Sequence, residues 1–391
     1  EVASTPRRPP SMQQLELPRH YTLVKALHRG AYGEFYLCRD QLRNSEVVAK
    51  VVRNFTDDVF CAKRLVREVR ILAKMRHENV MQLIDLVPPP HPDFNDVYMV
   101  MPFMQANLSQ VIYSKVRFNE SHCQAFTCQM LRGLKYLHST GIVHGDLKPS
   151  SILVNKDITL RIGDLGFARG RGQEEGVTAR SATRWYHAPE LTMLPKQHFE
   201  PVDLWSVGCI HVELICREPL FPGKDHVDML RRIAEVLGLG LSYLDWVPER
   251  DQASVRHCLE GLNLHPEPVP GKDLAARLPA ASESCLDLVC RLLEKVPSQR
   301  ISAADAIAHP YLTHLRDPYG ENVASKTFAW DFDHFEPTPR CLKDLIYCEA
   351  ARLHPQMLTR DVVYLAQRGF IPSPNHRGYS VSGGGDADAA A

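Results

Sequence analysis

A change of local pattern near residue 104 most narrows what this chain can fold into. From Tyr21 to Met104 the segments YTLVKAL, EFYLC, EVVAKVV and DVYMVMPF are short and rich in β-branched or aromatic residues, which suits a pleated, half-buried surface. One charged stretch among them, CAKRLVREVRILAKM, has helical spacing. Together they predict a small sheet with one helix against it. After Asn107 the pattern turns mostly helical. In NESHCQAFTCQMLRGLKYLHSTG, Phe126, Met130, Leu134 and Leu137 fall on one face, with Asn119 as N-cap and Gly141 beyond the end. The expected fold class is α+β: a small β-rich lobe followed by a larger, mostly helical one, within reach of a 391-residue chain.

Along this frame lie residues suited to phosphate chemistry. In HRGAYGEFYL, Gly30 and Gly33 permit close approach of backbone to a phosphate, although a plain hairpin has such glycines too. In VVAK, Lys50 places an ammonium within reach of phosphate oxygens. Glu68 on the charged helix is spaced to hold that lysine, though a solvated helix face also carries glutamates. Asp146 in HGDLKPSS and Asp164 in GDLGFAR then put two carboxylates on separate loops. One to accept a hydroxyl proton and one to hold magnesium is what phosphoryl transfer needs. ATRWYHAPE and DLWSVGC complete the series.

In this order the motifs resemble a eukaryotic protein kinase, and HENVMQLIDL, FNDVYMVM, QMLRGLKYLHS, ATRWY, LFPGKDHVDML and WDFDHFEPTP resemble the mitogen-activated protein kinases in particular. The likeness runs from about Tyr21 to about Ala350 and implies the bilobal kinase fold. The first residues, rich in Pro and Arg, mark 1–20 as a mobile segment, and the likeness implies an N-lobe over 21–104 and a C-lobe over 105–315 with an insert around 238–275. An extension over 316–370 would pack back on the N-lobe, and 371–391 would be a disordered tail. ATP and Mg2+ are the implied cofactors. Lys50 would bind the α and β phosphates, oriented by Glu68; Asp146 would position the substrate hydroxyl, Lys148 stabilise the transferring phosphoryl group and Asp164 hold magnesium. Met101 would be the gatekeeper, with the backbone of Pro102 and Met104 meeting the adenine. Glu190 and Arg300 match a structural buried ion pair of kinase large lobes.

Several positions depart from the pattern. Ser151 stands where an asparagine usually ligates a second magnesium, so it would act through a water or leave that ion looser. Gly145 replaces the arginine that couples a phosphorylated activation loop to the catalytic loop. The Thr-x-Tyr motif aligns with Thr178, Ala179 and Arg180, leaving Thr178 as a single regulatory site with Arg64, Arg67 and Arg169 to receive its phosphate. His187 stands where an arginine usually helps bind the phosphotyrosine. His28, Phe35 and Val48 add volume to the adenine slot, Asn107 replaces a ribose-binding aspartate and Leu165 a phenylalanine.

Two readings follow. One is an ATP-dependent serine/threonine kinase, favoured by the joint retention of Lys50, Glu68, Asp146, Lys148 and Asp164; the other is a pseudokinase serving as an interaction or scaffold protein, favoured by Ser151, Phe35 and His28. The expected partners are protein substrates and an upstream activating kinase, with docking altered because only Asp317 and Glu321 remain of an acidic docking cluster. With 46 basic and 46 acidic residues there is no electrostatic case for nucleic acid or an anionic membrane. Eleven scattered cysteines without close pairs, no signal-peptide core and no membrane-length apolar run lead us to expect an intracellular protein; the expected state is a monomer, in the cytoplasm and also the nucleus.

Overall fold

The computed structural model of the chain describes residues 15–30, 33–172, 184–194, 199–262, 272–317, 319–333 and 335–367. Thr178, residues 1–14 of the N-terminal segment and the expected tail over 371–391 lie outside them. The first lobe is a five-stranded antiparallel sheet built from β1 (Tyr21–Gly30), β2 (Gly33–Asp40), β3 (Ser45–Val52), β4 (Asp85–Leu86) and β5 (Val97–Pro102), in the order β1-β2-β3-β5-β4. The single helix α1 (Val59–Lys74) lies between β3 and β4 in the chain, with Asp58 capping the amides of Phe60 and Cys61.

The period of two along β3 sorts its side chains. Val47, Ala49 and Val51 pack with Tyr36, Cys38 and Val100 on one face, while Val48 and Val52 join the main core on the other. Lys50 falls on this second face. On α1, Leu65, Val69 and Leu72 recur at helical spacing and are buried, and Glu68 lies within the same stripe. Two local periodicities thus bring an ammonium and a carboxylate together.

Through β6 (Ala106–Asn107) the chain enters the helical lobe: α2 (Leu108–Ile112) and α3 (Glu120–Ser139), then β7 (Ile142–Val143), β8 (Ile152–Val154), β9 (Leu160–Ile162) and β10 (Arg169–Gly170), and the helices α4 (Pro189–Met193), α5 (Pro201–Cys216), α6 (His226–Leu237), α7 (Glu249–Gly261), α8 (Lys272–Arg277), α9 (Glu283–Leu292) and α10 (Ala303–Ile307). The α3 expectation is met: Phe126, Met130, Leu134 and Leu137 are buried, Asn119 closes a capping box with His122, and Gly141 follows the end at φ +76°. Strands β6, β8 and β9 form one small sheet, β7 and β10 another. They frame the loop at 144–151 and the loop at 163–168, so both candidate carboxylates come from loops anchored in short strands.

The last helices are α11 (Pro339–Leu353), α12 (Gln356–Arg360) and α13 (Val362–Gln367). α11 lies against α1 and β4, tied by Arg70 to Glu349 at 2.7 Å and by His354 to Asp85 at 2.6 Å. Glu190 and Arg300 meet as expected, in a two-pronged pair at 2.6 and 3.1 Å, both buried, with the guanidinium over the Trp205 ring. All eleven cysteines carry free thiols. Among the described residues no helix is long and apolar enough to cross a membrane.

Candidate active site

Lys50 Nζ lies 2.6 Å from Glu68 Oε2, and both side chains are about nine-tenths buried, with side-chain exposures of 8% and 10%. Phe35 is the cross-strand partner of Lys50 on β2, and Met101 on β5 is opposite Val48. Gly33 has φ +152°, and a Cβ there would come within 2.8 Å of the Val51 carbonyl, so only glycine fits. A Cβ on Gly30 would meet the Phe35 ring at 3.2 Å. His28 pairs with Phe35 across the β1–β2 ribbon and stacks on it, with centroids 4.6 Å apart and planes at 14°. Burial lowers the pKa of the His28 imidazole.

The loop after β7 is held from beneath by α5. Asp203, fully buried, accepts the backbone N–H groups of His144 and Gly145 at 2.9 Å each and also meets His138 Nε2 at 2.9 Å. Although burial opposes it, these donors hold the Asp203 carboxyl below its usual range. The aspartate is the first residue of the DLWSVGC motif, whose pattern alone assigns it no role. Gly145 has φ +73°, a conformation that strains any other residue. His144 accepts from the Asp146 amide at Nδ1, so its proton is on Nε2, which donates to the Gly163 carbonyl at 2.9 Å. That bond couples the two carboxylate-bearing loops.

Asp146 is buried, with Oδ2 paired to Lys148 and Oδ1 3.3 Å from His187 Nε2. Burial pushes the Asp146 carboxyl up, but the His187 hydrogen bond and the Lys148 ammonium outweigh it and hold the pKa down at about 2. Asp164 has a left-handed backbone at φ +54° and a carboxylate that remains about one-third exposed, 3.6 Å from Arg64. Such local strain is characteristic of functional loops.

Other expected residues make contacts of their own. The Ser151 hydroxyl donates to the Lys148 carbonyl at 2.8 Å and accepts the Lys148 amide at 3.1 Å, closing its own turn. The Asn107 side-chain carbonyl, expected to face a ribose, caps α2 by accepting from the Gln110 amide at 2.9 Å. The Met104 sulfur meets the Asn155 amide, and Met101 is buried in the core. Leu165 is wholly buried, as an apolar substitute for phenylalanine should be.

The three arginines expected to receive a phosphate are also engaged. Arg67, almost wholly buried, forks onto both oxygens of Asp333 at 3.0 and 2.8 Å and onto the Gly166 carbonyl at 3.0 Å. Arg64 lies over the Phe167 ring, 3.4 Å from its centroid. Arg169 donates to the carbonyls of Phe167 and Ala168. In the acidic docking remnant, Glu321 is buried against Lys135 at 3.0 Å and Arg316 at 3.1 Å, and Asp317 accepts the Tyr319 amide. No signal in the sequence marks Asp333 as the partner of Arg67, or His187 as a neighbour of Asp146.

A sheet lobe carrying a closed Lys–Glu pair, set above a helical lobe with these two loops, is the architecture of a protein kinase, and the protein kinase domain model matches residues 21–312. Among curated proteins the chain is 39% identical over 347 residues to mitogen-activated protein kinase 4 of Arabidopsis thaliana, covering 87% of this chain and 90% of that one. It is 37% identical to mitogen-activated protein kinase 6 of the same plant, over 85% of this chain and 83% of that one. Mitogen-activated protein kinase 1 of Oryza sativa subsp. japonica is 39% identical, over 85% and 82%. The chain belongs to the mitogen-activated protein kinase family: it is a serine/threonine protein kinase whose cofactors are ATP and Mg2+. The residues present fit these cofactors. Gly33 leaves a backbone cradle that a Cβ would fill, and the partly exposed Asp164 carboxylate offers the hard oxygen that Mg2+ takes.

Proposed function

We propose that the protein transfers the ATP γ-phosphate to protein hydroxyls with the charged groups of both lobes in their working pairs. The observation that carries this reading is the closed 2.6 Å contact between Lys50 and Glu68. An ammonium fixed in this way is preorganised for phosphate oxygens, and most catalysis of phosphoryl transfer is positioning and charge stabilisation. Asp146 accepts the hydrogen bond of the incoming hydroxyl and takes its proton as that oxygen bonds to the γ-phosphorus and the bond to the β,γ-bridging oxygen breaks, leaving ADP. Lys148, beside it, offsets charge on the transferring group. Asp164 holds magnesium, which supplies charge neutralisation on the phosphates. Ser151, its hydroxyl used within its own turn, contributes less to a second ion than asparagine would.

Control of this activity is atypical in the same reading. Thr178 is the single regulatory phosphorylation site, because the matching tyrosine position is Arg180. Its phosphate would have to compete with the present partners of Arg64 and Arg169. Arg67 is the costliest of the three to recruit, since it would have to leave a buried carboxylate.

The pseudokinase reading is favoured by one specific observation, the flat stack of His28 on Phe35 where the family has less volume. The test is thermal stabilisation of the purified protein by millimolar ATP with and without Mg2+, followed by radiolabelled transfer to Ser/Thr peptides. The kinase reading expects stabilisation that needs Mg2+ and is lost in Asp164→Ala. It also expects Asp146→Asn to keep nucleotide binding while transfer falls by about 10²–10⁴. Absence of any shift in the parent protein would sink it in favour of the pseudokinase.

A further inference from the structure

The carboxylate of Asp146 has a neighbour that the phosphoryl-transfer scheme does not use. His187 comes from the segment just before α4, far from the catalytic loop in sequence, yet its Nε2 is 3.3 Å from Asp146 Oδ1. Lys148 takes the other oxygen. The side chain is 7% exposed, so it has little freedom to turn toward solvent.

Its backbone is equally constrained. The His187 amide donates to the Arg184 carbonyl at 3.0 Å, and on its far side Ala188 and Pro189 are buried at the start of α4. The preceding residue is anchored twice to α5: the Tyr186 hydroxyl donates to Glu213 at 2.7 Å, and Ser206 Oγ donates to the Tyr186 carbonyl at 2.7 Å. Glu213 also accepts from Tyr113 at 2.6 Å. A chain of short contacts therefore runs from the large-lobe core to the imidazole and ends on Asp146. A side chain supported in this way can fix the rotamer of the group it touches.

We propose that His187 is a positioning residue for Asp146. Its N–H donates to Oδ1 while Lys148 holds Oδ2, so the carboxylate cannot rotate about its Cβ–Cγ bond and the substrate hydroxyl meets one preset acceptor. His187 gives up no proton in the reaction; it acts through orientation, where a misplacement of about 1 Å can cost on the order of 100-fold. This rests on Asp146 being the residue that receives the hydroxyl.

The test uses the full chain, radiolabelled Mg-ATP and a degenerate Ser/Thr peptide mixture. His187→Leu removes the donor and should lower kcat roughly 10- to 100-fold with the KM for ATP and the melting temperature nearly unchanged. His187→Gln keeps a neutral N–H donor and should restore most of kcat. In an Asp146→Asn background, His187→Leu should cost nothing further, because the two residues act as a unit. Full activity in His187→Leu, or equal losses in the Leu and Gln variants, would overturn the proposal, as would a full further loss in the Asp146→Asn background. Unimpaired transfer by Asp146→Asn alone would instead overturn the underlying reading, so the two failures are distinguishable.

Discussion

On the phosphate side of the cleft Lys50 closes on Glu68, Asp146 sits between Lys148 and His187, and Asp203 grips the backbone of the loop; on the adenine side His28 lies flat on Phe35 beside a strand that carries Val48. The first side keeps Lys50, Glu68, Asp146, Lys148 and Asp164, though Gly145 and His187 stand where the family has arginines, and the second has gained volume at His28, Phe35 and Val48. Removing one member of a buried pair strands a charge, at about 3–5 kcal/mol. Adding methylenes to a packed slot costs about 1–3 kcal/mol and can be absorbed by neighbours. Paired charges thus resist change, while apolar volume drifts.

The hardest test of that contrast lies on the back of α1. Arg67 and Asp333 are each 2% exposed, and the pair ties the helix that carries Glu68 to the segment before α11. We expect Arg67→Ala or Asp333→Asn to lose about 3–5 kcal/mol of unfolding free energy by urea titration. The double replacement Arg67→Met with Asp333→Leu should recover most of it. If either single change proves neutral, stranded charge is not what protects the paired side.

A buried polar group with no charged partner among the described residues should behave differently, and His211 on α5 is such a group. Its ring meets Thr127 Oγ1 at 2.7 Å and Cys285 Sγ at 3.4 Å, with the Tyr311 ring edge-on. Burial lowers its pKa to about 4. The unfolded chain binds a proton below about pH 6.5 that the folded chain refuses, so the contribution is complete above about pH 6.5 and is lost as pH falls toward 4. The loss should reach about 3 kcal/mol. Denaturant midpoints between pH 7 and 4, measured for the parent and for His211→Gln, should differ in slope; parallel curves would refute the assignment.

The parts of this molecule that could be read from sequence are those set by local period. The α3 face and its Asn119 cap depend on residues within a few turns of one another, and Lys50 with Glu68 depends on two regular elements whose inward faces are each visible in the pattern. Glu190 and Arg300 were matched through the family likeness. What could not be read was the choice among equivalent partners. Arg67 takes a carboxylate 266 residues away, one of 46 acidic residues, and nothing local singles it out. Ser151 and Asn107 have local partners that the spacing did not show. Short polar side chains can bond their own backbone, and both do so here, at ranges where a turn or a helix start competes with a ligand.

The smallest expected effect is on the drifting side. Phe35→Val removes the ring on which His28 stacks and leaves the backbone pairing of Phe35 with Lys50 intact, since strand registry is carried by the main chain. It should therefore free volume above the slot without disturbing the Lys50–Glu68 pair. We expect Mg-ATP to bind up to about tenfold more tightly, or about 1.4 kcal/mol, seen as a larger thermal stabilisation at fixed nucleotide. His28→Gly alone should act in the same direction but less, because Phe35 remains. If Phe35→Val weakens binding instead, the stack is part of the adenine contact rather than surplus volume. The roof would then belong with the floor as a fitted surface, and the contrast between paired charge and drifting volume would have to be redrawn around Val48 and Met101.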